Sequence, residues 1–177
     1  IDFYEYLDIR DGVAVSNAIF NFNPDIIFHL AAQPLVIQGY KDPMYTYQTN
    51  VIGTLNVLEA ARDLSDLIHV VVITTDKVYK NTESQNGYKE TDTIGGYDPY
   101  SSSKAACEIL VESYRLSYFS TSDSAVISTV RAGNVIGGGD WSDNRIIPDL
   151  MRAYKSRSKV SLRSPLASRP WQHVIDP

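Results

Sequence analysis

Ile68-His69-Val70-Val71-Val72-Ile73-Thr74-Thr75 is the stretch on which the fold turns. Its apolar positions follow one another without a polar alternate, and nearly every residue is β-branched, which predicts a buried strand. Two similar runs lie at a distance on either side. Ile26-Ile27-Phe28-His29-Leu30-Ala31 follows the turn Asn23-Pro24-Asp25, and Ala125-Val126-Ile127-Ser128-Thr129-Val130-Arg131 ends at Gly133-Asn134. Between the runs the period changes. Residues 44–62 carry Val51, Leu55 and Leu58 at helical spacing, and residues 99–118 form a second helix. Strand, helix, strand, helix, strand predicts right-handed crossovers and a parallel, doubly wound α/β sheet. Ligands of such sheets bind beyond the carboxyl ends of the strands. The tips to watch are Ala31-Ala32-Gln33, Thr75-Asp76-Lys77 and Ala132-Gly133-Asn134.

The second helix opens with Asp98-Pro99-Tyr100-Ser101-Ser102-Ser103-Lys104. Asp98 suits the N-cap and Pro99 the first helical position. Positions i and i+4 share a helix face, so the Tyr100 phenol and the Lys104 ammonium point into one space. A nearby cation stabilises a phenolate, which makes Tyr100 a candidate proton acceptor. At the preceding strand tip, Thr75, Asp76 and Lys77 put a hydroxyl, a carboxylate and an amine side by side. Alone, each group also reads blandly: two residues on one helical face, and a polar turn closing a strand.

Composition narrows the classes. A chain of 177 residues with 44% apolar content can bury one core. The net charge of −5, with no Lys/Arg cluster, argues against a nucleic-acid surface. The single cysteine, Cys107, excludes internal disulfides and a cysteine-built zinc site, and no metal ligands are expected. No apolar run approaches the roughly 18 residues of a membrane span. The start carries no secretory pattern, so the expectation is a soluble, cytoplasmic protein. After Gly137-Gly138-Gly139 the rhythm changes, with a short helix at residues 146–154 and an Arg/Ser/Lys-rich stretch at residues 155–169. Residues 1–140 are read as one domain and 141–177 as the beginning of a smaller lobe. Residues 1–7 read as mid-domain sequence, and the chain stops at Asp176-Pro177. A larger chain is expected, of which this is a piece.

Six segments in order carry a resemblance. They are His29-Leu30-Ala31-Ala32-Gln33-Pro34-Leu35-Val36, Asn50-Val51-Ile52-Gly53-Thr54, Thr75-Asp76-Lys77, the Tyr100/Lys104 run, residues 131–141 and Arg169-Pro170-Trp171-Gln172-His173-Val174. Together they resemble the extended short-chain dehydrogenase/reductase family, within it the nucleotide-sugar dehydratases, and most closely their CDP-glucose 4,6-dehydratase branch. Related dTDP-glucose and GDP-mannose dehydratases carry Asp-Glu where this chain has Asp76-Lys77. The resemblance implies a partial NAD(P)-binding Rossmann-type domain followed by the start of a nucleotide-sugar-binding lobe, with NAD as cofactor and CDP-glucose or a similar nucleotide sugar as substrate. It implies a homodimer and a place in deoxysugar and surface-polysaccharide (O-antigen) synthesis. Tyr100 would take the sugar 4-hydroxyl proton, Thr75 would hold that hydroxyl, and Asp76 would protonate the departing 6-hydroxyl. Lys77 would be the carbon-5 base if burial neutralises it, the preferred reading, or an enolate stabiliser if it stays charged. Asp8 and Ile9 would lie by the adenine, Ala31, Ala32 and Gln33 along the nicotinamide side with Thr74, and Lys104 on the nicotinamide ribose. Asn134, Arg169 and Arg145 would hold the diphosphate.

Alternatives stand beside several of these. Asp8 reads equally as a helix cap before Gly12-Val13, His29 as a satisfied core residue and Asn50 as a structural bridge. Arg145 reads as part of a solvated face, and Trp141 and Trp171 as core residues or neighbours of the base. The glycine-rich loop that such families wrap around the NAD pyrophosphate does not occur in these residues. The competing functions are a dehydratase or epimerase on another nucleotide sugar, or a non-catalytic dinucleotide-binding sensor.

Overall fold

A computed structural model describes residues 4–84, 86–121, 124–162 and 164–177. The chain forms two compact units, Ile1–Arg131 and Ala132–Pro177. The first contains helix α1 (Gly12–Phe22), strand β1 (Ile26–His29), short helices α2 (Val36–Lys41) and α3 (Pro43–Tyr47), helix α4 (Gly53–Arg62), strand β2 (His69–Ile73), helix α5 (Pro99–Ser117) and strand β3 (Val126–Val130). The strands are parallel in the order β1-β2-β3, with Ile27 opposite Val70 and Val70 opposite Ile127. This is the parallel α/β arrangement that the alternation of runs predicts.

Period-two geometry puts Val70 and Val72 on one face of β2. There they meet Leu58 and Ala61 of α4, Val111 of α5 and Ile127 of β3 in a single buried apolar cluster, completed by Leu67 and Ala125. The helix starts follow side-chain chemistry. Asp98 accepts from the amides of Tyr100 and Ser101 while the Ser101 hydroxyl answers the Asp98 amide, a capping box with Pro99 in the first turn. Asp11, not Asp8, caps α1, accepting from the amides of Val13 and Ala14, so the cap alternative for Asp8 is overturned.

Residues 44–62 are helical, but not as one regular helix. Between α3 and α4 the turn Gln48–Ile52 widens to π geometry. Asn50 explains it. Its side chain reaches the backbone of Gln33 and the Ser103 hydroxyl, and its carbonyl receives the Thr54 hydroxyl and the Cys107 thiol. An extra residue in the turn aims these groups inward.

The second unit pairs β4 (Asn134–Ile136) with β5 (Trp171–His173) in parallel and carries helix α6 (Ile146–Ser156). Gly133 enters β4 hard against Pro170, where a Cβ would lie 2.8 Å from the proline Cγ. Among the described residues no helix is long and apolar enough to cross a membrane, and no group of His, Cys, Asp and Glu could hold a metal ion.

Candidate active site

Beyond Ile73, the β2 chain stays beside β3 for one more residue, the Thr74 amide donating to the Val130 carbonyl at 2.8 Å. Thr75 is extended and caps a 3₁₀ turn, Asp76–Val78, accepting from the Lys77 amide. Its hydroxyl donates to Asp76 Oδ1 at 3.1 Å. Thr75 is buried, Asp76 half-buried and Lys77 exposed. The tip therefore grades from a buried hydroxyl to an exposed amine over three residues.

Helix α5 packs against this turn. Because Asp98 fixes its start, Tyr100 falls in the first turn and Lys104 in the next, both on the buried face. Upstream, Gly96 lies so close to the Ser101–Ser102 backbone that a Cβ would stand 2.2 Å from it. No other residue type lets the loop before the helix lie there. The Lys104 ammonium donates to the Ile73 carbonyl at 2.9 Å, tying the helix to the last residue of β2. Lys104 is only 6% exposed, and burial pushes its pKa down, opposed by the nearby Cys107 and Glu108. The Lys77 ammonium lies 5.9 Å from the centroid of the Tyr100 ring. Thr75, Asp76, Lys77, Tyr100 and Lys104 thus share one strand tip. Lys77 is the exposed member of the five.

Other expected residues separate into free and committed groups. Asp8 is exposed and gripped by Arg10, whose guanidinium donates to both carboxylate oxygens; these bonds hold the carboxyl pKa down to about 2. Ile9 is anchored by its carbonyl to the Asn56 amide and packs on Gly53. Ala31 is exposed and Ala32 half-buried just past β1. Gln33 is buried and internally committed. Its backbone faces Asn50, its side-chain nitrogen donates to Thr46 at 2.8 Å and its side-chain oxygen accepts from Leu35 at 2.6 Å. It braces the loop, and its side chain is not offered to a ligand. Thr74 is likewise buried with its hydroxyl on Glu108 and the Val130 carbonyl, which corrects its reading as a cofactor ligand through that side chain. His29 bonds Thr54 at 2.9 Å, and burial, followed by the Lys104 charge, lowers its pKa to about 4, in keeping with a satisfied core histidine.

In the second unit, Asn134 and Arg169 come close through strand pairing, the Asn134 amide donating to the Pro170 carbonyl at 2.8 Å. The Arg169 guanidinium is exposed with a contact to the Ser168 carbonyl. Arg145 stands apart from that pair in its partnering, with Asp140 at 3.4 Å. Trp141 and Trp171 are 62% and 43% exposed, so core packing does not account for them in this chain.

One residue escaped the sequence reading. Glu108 lies one turn beyond Lys104, buried, and accepts from Thr74, Thr129 and the Nε and Nη2 of the Arg131 guanidinium. The signal was present, because Tyr100, Lys104 and Glu108 repeat at i, i+4 and i+8.

A family model described as GDP-mannose 4,6 dehydratase matches residues 2–176. The chain is 46% identical over 174 residues to a CDP-glucose 4,6-dehydratase of Salmonella typhimurium, covering 96% of this chain and 48% of that protein. It is 34% identical over 119 residues to a dTDP-glucose 4,6-dehydratase of Xanthomonas campestris, covering 63% of this chain and 34% of the relative. Among solved structures, a dTDP-glucose 4,6-dehydratase from Streptomyces venezuelae with NAD bound superposes with a TM-score of 0.82 at 26% identity, covering 94% of this chain and 49% of that one. The chain spans about half the length, or less, of the curated relatives it matches.

Proposed function

Because the chain belongs to the GDP-mannose 4,6 dehydratase family, we propose that it carries the catalytic groups of an NAD-dependent CDP-glucose 4,6-dehydratase, a hydro-lyase. The observation that carries the reading is the meeting of Thr75, Asp76 and Lys77 with Tyr100 and Lys104 at one strand tip. A simple dehydrogenase needs a proton acceptor there but no carboxylic acid beside it. The CDP-glucose assignment is supported by the 46% identity to the Salmonella enzyme and by lysine at position 77. Residues 1–140 are taken as the dinucleotide-binding part and 141–177 as the start of the sugar-nucleotide part, in a cytoplasmic homodimer.

The residues present suit NAD on their own chemistry. The buried Lys104 ammonium has three donors and one partner among the described residues, so two remain for a ribose. Ala31 and Ala32 leave room past β1, and Asp8 offers an ionised carboxylate on the adenine side. When bound, NAD supplies a hydride acceptor that later returns the hydride. Thr75 orients the sugar 4-hydroxyl, and Tyr100, beside the Lys104 charge, takes its proton. The 4-ketone that results makes the carbon-5 hydrogen acidic. Lys77, near Tyr100, takes the carbon-5 proton, and the ammonium so formed stabilises the enolate. Asp76 delivers a proton to the 6-hydroxyl as it leaves as water. Asn134 and Arg169 hold the diphosphate, where an Arg fork suits phosphate geometry.

The full-length protein should convert CDP-glucose to its 4-keto-6-deoxy product about tenfold or more faster than dTDP-glucose or GDP-mannose. Equal rates on all three would remove the substrate assignment. In Asp76→Asn, the first oxidation should survive while water loss slows roughly 100-fold, so NADH accumulates in a single turnover. A slowed reaction without that accumulation would show that Asp76 is not the acid.

A further inference from the structure

Glu108 is a carboxylate placed inside the protein, one helical turn from a buried lysine. Burial alone would raise its pKa. The Arg131 fork, at 3.0 and 2.9 Å, and the hydroxyls of Thr74 and Thr129 outweigh that and hold it ionised. Arg131 is itself braced, with Tyr79 stacked 5.0 Å from its guanidinium and the Glu90 carbonyl at 3.1 Å. So much bonding around one anion is more than a helix needs for packing. Its three partners come from the end of β2, from β3 and from the residue just past it, while Glu108 itself comes from α5.

We propose that Glu108 is a positioning residue for the reaction at the β2 tip: clamped by Arg131, it locks Thr74 and hence Thr75-Asp76 to α5, and it faces the Lys104 ammonium with a fixed negative charge. The inference rests on the dehydratase reading above and deepens it. Lys104 stabilises a phenolate by charge only as a cation, yet it sits where burial favours the neutral amine. The groups that act on its charge are Cys107 and Glu108 on its own helix and His29 from β1, with Tyr100, Asp76 and Lys77 at the same strand tip. Of these, His29 stays neutral at ordinary pH and Cys107 is pushed up by burial. Glu108 is the deeply buried anion of the group.

The test is Glu108→Gln in the full-length protein, with Glu108→Gln/Arg131→Met as the charge-neutral companion should the single variant not fold. Two readouts are taken. Lysine side-chain ¹⁵N resonances, titrated without substrate, should show the Lys104 ammonium losing its proton at a pH lower by about one unit. Single-turnover oxidation of CDP-glucose should slow about tenfold, and its alkaline limb should move down by the same interval. A purely structural Glu108 would lower stability and leave both profiles of the folded protein unmoved, which would overturn the proposal. If the wild type fails to oxidise CDP-glucose while the Lys104 titration still moves, the dehydratase reading falls and the charge coupling stands.

Discussion

Helix α5 buries two different interiors. Its first half inserts Tyr100, Ser103, Lys104, Cys107 and Glu108 among Asn50, Thr54, Thr74 and Arg131; its second half inserts Val111 among Leu58, Val70, Val72 and Ile127. The apolar end is held by area, which has no preferred direction. The polar end is held by distances and angles, which fix atoms to a fraction of an ångström. One helix thus draws stability from its far half and geometry from its near half. Changes at the two ends should fail in different ways.

The largest effect belongs to the polar end. Tyr100→Phe should cost about 100- to 10,000-fold in turnover while leaving the thermal midpoint close to wild type. Retention of a tenth of the activity would mean that the near half is merely packed. At the apolar end, Leu58→Ala should lower stability by about 2–5 kcal/mol, measured by urea unfolding, with the rate per folded molecule unchanged. If that rate also fell, the two interiors would not be separable.

Acid should reach the polar end first. The unfolded chain binds a proton on His29 near pH 6.5, the folded chain only near 4, so the unfolded state holds more protons in between. Stability present above pH 6.5 is therefore lost as pH falls toward 4, by about 3 kcal/mol. His29→Gln should flatten that slope in urea midpoints taken across the interval. The smallest change is Ser103→Ala. It removes the 2.8 Å partner of Asn50, which keeps its bond to the Gln33 carbonyl. A loss of about 1 kcal/mol is expected, seen as faster amide exchange around Gln33 and not around Val111.

The apolar end was legible in the residues, and the polar end only in part. Uninterrupted runs such as residues 68–75 announce strands because burial acts on each residue separately. Asp98 and Pro99 announce a helix start because capping is local. The inward bonding of Gln33 was hidden because its partners, Asn50 and Thr46, lie 17 and 13 residues away and no spacing rule links them. For Glu108 the spacing shows a face shared with Tyr100 and Lys104 but not its partners, since only folding brings Arg131 and Thr129 to it. Lys77 was read as needing burial, and nothing in its neighbours along the chain reveals that it lies exposed.

The widened turn at Gln48–Ile52 works as a gear tooth in this arrangement. In a regular helix each residue advances about 100°, so a row of every fourth residue drifts sideways by about 40° per step. Thr46, Asn50 and Thr54 form such a row, yet all three are buried and bonded on one line from Gln33 to Cys107. The wider turn takes up the drift. Closing the turn to regular helix geometry with all its residues kept would turn everything after it by about 100°. That change would swing Leu58 out of the apolar cluster and Thr54 away from His29 together, so the width of this turn sets the phase of both interiors at once.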